Sequence, residues 1–155
     1  MDFEFDIFKD KYLHVDNYVW KIDNIDFLHI QKSAVGKNGE YAIVINQGYD
    51  VVELNYRTAD EMAIVNAFRS LCKALTEFSP AFKLSDSAVL INYGHVQSIK
   101  YVKNLLNSKI IVKFERATLV RNRAAKTNFD IMVQYLNDFN NTNSIKENYD
   151  NSITG

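Results

Sequence analysis

The chain has 155 residues, 47% of them hydrophobic and 24% charged, enough for one hydrophobic core and too few for two ordinary domains. Its 18 Lys and Arg against 19 Asp and Glu leave a net charge of −1, which excludes a polybasic chain as well as a disordered acidic one. The totals conceal a segregation: residues 1–82 carry 8 basic and 13 acidic side chains (−5), 83–126 carry 9 and 2 (+7), and 127–155 carry 1 and 4 (−3).

The start, MDFEFDIFKDKY, is acidic and aromatic, unlike the basic and then apolar start of a signal peptide. No run approaches the roughly 18 apolar residues of a membrane span. Tyr12 to Lys32 is dense in aromatic and β-branched residues, broken at Asp16-Asn17 and Asp23-Asn24, where Asx side chains favour turns, and it reads as three short strands. A polar loop, Ser33 to Gly39, leads into YAIVIN (Tyr41 to Asn46), a turn at Gln47-Gly48, and VVELNY (Val51 to Tyr56), together a hairpin. Thr58 with Glu61 three residues on forms a capping box for a helix reaching Phe78. Met62, Val65, Phe68, Arg69, Cys72, Leu75 and Phe78 lie at its three- and four-residue spacings, and Ser79-Pro80 stops it. Cys72 is the only cysteine. It reads as part of the buried stripe, excludes an internal disulfide or a multi-cysteine zinc site, and points to a reducing, cytoplasmic compartment.

The second half repeats this order. Val89 to Asn92, Val96 to Val102, KIIVKFE (Lys109 to Glu115) and Thr118 to Arg121 read as strands, before a helix from about Ala124 to Phe139 that carries Ile131, Val133, Tyr135, Leu136 and Phe139. Residues 140–155 are polar and almost without core-forming side chains, which predicts a disordered tail behind a single domain spanning 1–139. YAIVIN and VVELNY compare loosely with KIIVKF and ATLVRN. Identities are few, so the pairs are read as ordinary products of an antiparallel β domain rather than as a duplication.

No nucleophile with a base, carboxylate pair or metal-ligand group forms a motif, and there is no HExxH, GxSxG or Walker A loop, so a non-enzymatic protein without metal or cofactor is expected. His14, His29 and His95 are isolated, and His29 reads as a satisfied, half-buried strand histidine. Gly36 and Gly39 lie in a loop with no helix after it, which makes a turn rather than a phosphate cradle. The basic segment carries more. Arg116, Arg121, Arg123 and Lys126 lie on a short strand and its flanks, where guanidinium groups reach phosphates or a guanine edge, and Asn122 offers an amide suited to adenine. A solvated β edge accounts for the same charges, since lysine and arginine there deter strand aggregation.

From Tyr18 to about Leu136 the order of features resembles the LytTR family of DNA-binding domains. YVWKIDNIDFLHIQ followed by GEYAIVINQGYDVVELNYRT is similar to the family's opening strands, and a helix follows. FKLSDSAVLIN (Phe82 to Asn92) then aligns with the family segment F-x-R-[IV]-H-R-S-[YF]-[LI]-[VI]-N, matching at Phe82, Leu90, Ile91 and Asn92. Arg121, Asn122 and Arg123 fall at the Ser-Arg-Arg that follows the family's valine, here Val120. The departures are Leu84 at the family's arginine and Asp86, Ser87 and Ala88 at its His-Arg-Ser, where an acidic residue repels phosphate.

The resemblance implies a mainly β, α+β fold of elongated antiparallel sheets with two helices, whose loops enter major grooves. It puts three regions on one face: Lys37 and Asn38, Lys83 to Ser87, and Arg121 to Lys126. Arg123 is then the expected base reader, Asn122 the second, and Lys37, Lys83, Ser85, Ser87 and Lys126 position phosphates. The expected function is a stand-alone, sequence-specific regulator of transcription that binds double-stranded DNA, on paired sites as a homodimer or with a regulatory protein partner. The alternative is a non-catalytic interaction or inhibitor protein, encoded by a mobile element, that has exchanged its DNA face for a protein or small-ligand surface. Asp86 and the near-neutral total charge favour that alternative.

Overall fold

The computed structural model describes the backbone of residues 2–154 and the side chains of residues 2–141. Its elements are β1 (Asp6–Phe8), β2 (Tyr12–Val15), β3 (Tyr18–Lys21), a 3₁₀ turn (Ile22–Asn24), β4 (Phe27–Lys32), β5 (Tyr41–Gln47), β6 (Asp50–Thr58) and α1 (Glu61–Phe78). Then follow β7 (Phe82–Ser85), β8 (Val89–Asn92), a second 3₁₀ turn (Tyr93–His95), β9 (Ser98–Val102), β10 (Lys109–Lys113), β11 (Thr118–Arg121) and α2 (Ala125–Thr154). The class is mainly β with two helices, as expected. Among the described residues no helix is long and apolar enough to cross a membrane.

Among the described residues all strand pairs are antiparallel, in three sheets ordered β1-β2-β3, β6-β5-β4-β8-β7 and β11-β10-β9. Strands β1 and β7 are absent from the sequence reading. α2 is assigned to Thr154 rather than ending near Phe139. The predicted disordered tail, 140–155, falls almost wholly on side chains outside the described residues.

Two details of α1 differ from expectation. The cap is Asp60, whose carboxylate accepts the Met62 and Ala63 N–H groups. Thr58 closes β6, and its hydroxyl accepts the Asp60 N–H. The buried stripe is Ile64, Ala67, Phe68, Leu71, Cys72 and Leu75, while Met62 is 73% exposed. Burial pushes the Cys72 thiol up to about 12, so it stays protonated and inert, as a core residue does.

The loose internal likeness of the sequence proves to be structural. The order two strands, 3₁₀ turn, three strands, helix occurs twice, as β2 to α1 and as β7 to α2. YAIVIN and KIIVK occupy the equivalent strands β5 and β10, and VVELNY and TLVR the equivalent strands β6 and β11. Local hydrogen bonds repeat too. Ile22 N–H donates to the Lys11 carbonyl at 2.9 Å and Tyr93 N–H to that of Ala81 at 2.8 Å. Each 3₁₀ turn closes alike, through Ile25 N–H to the Ile22 carbonyl and Val96 N–H to the Tyr93 carbonyl. The pairs are therefore equivalent positions of two structural units, contrary to the reading that ascribed them to any antiparallel β domain.

The units join where β4 of the first pairs with β8 of the second, in a register that opposes Phe27 to Ile91, Leu28 to Leu90 and His29 to Val89. Side chains alternate across this joint, as the pleat requires. Leu28 and Leu90 enter one core with α1, β2, β3 and β5. Phe27, Val89 and Ile91 enter the other with β10, β11 and α2, where the Phe27 and Phe114 rings lie 5.1 Å apart. Covered on both faces, VLIN in β8 is fully buried.

Candidate nucleic-acid interface

The +7 segment forms most of the second unit, and its strands sort its charges. The sheet β9-β10-β11 turns Ile110, Val112 and Leu119 inward. By alternation its outer face carries Lys100 on β9, Lys109, Ile111 and Lys113 on β10, and Thr118 and Val120 on β11. Lys103, Arg116, Arg123 and Lys126 are exposed on the adjoining loops and the first turn of α2. Sequence reasoning singled out few of these, although the alternation of KIIVK already puts Lys109 and Lys113 on one side.

The expected DNA-contacting residues separate into groups. Asn122 and Arg123 are exposed, and the register opposing Ile110 to Arg121 sets Asn122 one step on, beside Lys109 on the outer face. Arg121 points the other way. Its Nε and Nη2 donate to both Asp86 carboxylate oxygens at 2.8 and 2.9 Å, with the Asp86 side chain 1% exposed and that of Arg121 19% exposed. This bidentate pair occupies the fork that a phosphate would need. Asp86 therefore does not confront a ligand as a free charge, which corrects its reading as a phosphate repellent. It anchors β11 to the β7–β8 turn, and it also accepts the Ala88 N–H.

Ser85 is buried, its hydroxyl 3.1 Å from the Tyr93 hydroxyl, so it presents nothing to a phosphate. Lys83 is half-buried on β7 and Ser87 is exposed. Ser87 and Arg123 line one recess of about 170 Å³ with Ile30, Tyr41, Glu61 and Arg69. The structure thus brings the segments 83–87 and 121–126 together. Lys37 and Asn38 are exposed on the β4–β5 loop, where Lys37 lines a different recess with Glu40, Asn55 and Arg57. Lys126 bonds Asp130 at 3.1 Å on exposed surface, a pairing weak enough to exchange for a phosphate.

His29 and Arg121 meet at the joint. Burial lowers the His29 pKa, and the nearby Arg121 charge lowers it further. The histidine is half-buried, as expected, but not satisfied: its Nδ1 has no partner among the described residues.

A cleft of about 680 Å³ opens at the other end of the joint, lined among others by Asp26, Tyr49, Asp50, His95, Glu115 and Arg116. Its polar groups largely engage one another. Asp26 Oδ1 lies 2.8 Å from His95 Nδ1, and Asp26 Oδ2 accepts the Gly48 N–H at 2.8 Å. Gly48 holds the positive φ of 60° that the β5–β6 turn demands. Asn92 Nδ2 donates to the Ile25 carbonyl at 3.0 Å. These ties hold the first unit to the second 3₁₀ turn. Among the described residues no group of three or more His, Cys, Asp or Glu side chains converges as a metal site.

Compared with known proteins, the chain matches no family model, no curated protein and no solved structure.

Proposed function

We propose that the chain is a non-enzymatic regulator that docks on double-stranded DNA through its second unit. The observation that carries the reading is the distribution of exposed charge. Of the nine cations between Lys83 and Lys126, Arg121 is neutralised by Asp86 and Lys126 pairs with Asp130 on exposed surface, while the segment's one other acidic residue is Glu115. Such a surface attracts phosphates and releases counterions, giving affinity that falls steeply with salt. Asn122 and Arg123, exposed at its border, are the side chains with the hydrogen-bonding groups to read adenine and guanine edges. Lys126, Lys109, Lys113 and Lys100 supply phosphate contacts, and Ser87, which shares a recess with Arg123, lies at the edge of the same region. Lys37 and Asn38, on the acidic first unit, extend the footprint only where a second groove reaches them.

The test is fluorescence anisotropy of the full chain with duplex and single-stranded DNA over a salt series, followed by selection of bound duplexes. Salt-dependent duplex binding with an enriched repeat is expected. Arg123→Ala should then cost about 1–3 kcal/mol on the selected site and relax specificity at one position. Equal loss on random duplex makes Arg123 a phosphate contact. No binding at low salt overturns the reading in favour of a protein-interaction or inhibitor protein. Leu105 and Leu106 favour that second reading, for both are fully exposed at the tip of the β9–β10 loop, as an anchor for a partner would be.

A further inference from the structure

The two units share one chain order, yet their strands are not equally used. In the first unit β4 takes a neighbour on each side, β5 and β8. Its equivalent, β9, has only β10 among the described residues, and β3, the equivalent of β8, has only β2. The joint between units therefore uses the β4 edge of the first unit and the β8 edge of the second, and it leaves their equivalents, the edges of β9 and β3, open.

We propose that β3 of a second copy of this chain pairs with β9, repeating between molecules the joint that β8 and β4 make within one. The equivalence fixes the register. Leu28 opposite Leu90 becomes Ile99 opposite Val19, His29 opposite Val89 becomes Lys100 opposite Tyr18, and Phe27 opposite Ile91 becomes Ser98 opposite Trp20. Asn92 N–H donates to the Asp26 carbonyl at 2.9 Å and Ile30 N–H to that of Ala88 at 3.1 Å. Antiparallel alternation then turns the backbone groups of Ile99 and Val19 toward the open edges. No like charges face each other in this register.

Two further observations support the pairing. Exposure differs where the equivalence says it should: Leu90 is 0% exposed, whereas Val19 is 55% and Tyr18 45% exposed. Pairing also sets the −5 segment that holds β3 beside the +7 segment that holds β9, so long-range attraction favours approach. The contact joins two different edges, so it is heterologous. Repeated, it gives a ring or an open chain of copies, not a twofold dimer. It extends β11-β10-β9 by β3, β2 and β1 to six strands, and it leaves the outer face of that sheet free whether or not DNA binds there.

Sedimentation velocity of the full chain over a concentration series, without nucleic acid, tests the proposal. The expected result is a mass that rises above that of one chain and falls back with salt. Val19→Arg and Lys100→Glu each change an exposed residue, and each should reduce self-association at least tenfold. Ile99→Arg should do the same, with circular dichroism used to check that it folds. The decisive mixture is Val19→Arg, with an intact β9, and Lys100→Glu, with an intact β3. The two should form a one-to-one pair that neither forms alone. A monomer at every concentration overturns the proposal, as does association that neither substitution weakens. An unassociating mixture of variants overturns the heterologous pairing. DNA binding is measured separately, so its failure and this one are told apart.

Discussion

The first and second units build the same succession of elements from unlike side chains, and the differences fall where the units meet each other or the solvent. Asp16 and Asp86 sit at equivalent turns, both with positive φ, 54° and 46°, which aspartate tolerates better than most residues. Each holds the last strand of its own unit. Asp16 accepts the Asn55 N–H at 2.7 Å, and Asp86 grips Arg121. The backbone role is constant, while the partner changes from an amide at the surface to a guanidinium at the joint. Likewise Leu90, fully buried beneath α1, answers to Val19, which is largely exposed. Two copies of one plan can therefore carry opposite charge and opposite burial without losing the plan, since hydrogen-bonded turns and the pleat specify it more than residue identity does.

Separating the anchors is the most disruptive way to test this comparison. Arg121→Ala leaves the Asp86 carboxylate buried and uncompensated, and it should cost about 3–5 kcal/mol of stability in urea unfolding. Asp16→Gly keeps the positive φ and removes a hydrogen bond to an exposed amide, and about 0.5–1.5 kcal/mol is expected. Equal losses would mean that the two turns are energetically alike and that the ion pair is not what secures β11. The paired apolar positions sharpen the same contrast. Leu90→Ala opens a cavity between α1 and the joint and should cost about 2–5 kcal/mol, whereas Val19→Ala in the dilute chain should stay within about 0.5 kcal/mol.

Most strands are legible because the joint and the two cores bury them in recognisable ways: YAIVIN and VLIN are buried almost throughout and read as continuous apolar runs, whereas KIIVK is covered on one face and alternates. Strand β1, three residues long, is too short to show a period. FKLS in β7 alternates poorly because Ser85 is turned inward to Tyr93 while Leu84 remains exposed. The cap of α1 is misread because Thr58 and Asp60 are both good capping residues. Only the end of β6 at Thr58 decides between them, and strand ends are set by pairing with Tyr41. The candidate interface is half-legible. Composition alone locates the basic segment, but Asp86 and Arg121 lie 35 residues apart, and no local pattern announces that one neutralises the other. The repeat is hidden for the opposite reason, since its conserved part is backbone hydrogen bonding. Asp60→Ala is a smaller check on this account. It should cost about 1 kcal/mol of stability by removing the cap, and Thr58→Ala should cost less.

The smallest expected effect concerns pH. His29 faces the joint half-buried with Nδ1 unpartnered, and its equivalent, Lys100, is an exposed cation on an open edge. Burial and Arg121 hold the folded-state pKa of His29 below the 6.5 of an unperturbed side chain. The unfolded chain therefore takes up the proton first as pH falls. The stability that His29 contributes is full above pH 6.5 and is lost progressively as the medium is acidified below it. His29→Gln keeps a polar side chain without the titration. It should flatten the fall in melting temperature between about pH 7 and pH 5, the range in which histidine titrates. The equivalent substitution Lys100→Gln, at the exposed position, should leave that slope unchanged. If both variants kept the parent slope, acid sensitivity would lie elsewhere and the joint would be indifferent to proton uptake. If only His29→Gln flattened it, the joint would be the acid-labile part of the molecule, even though its strands are the most deeply buried.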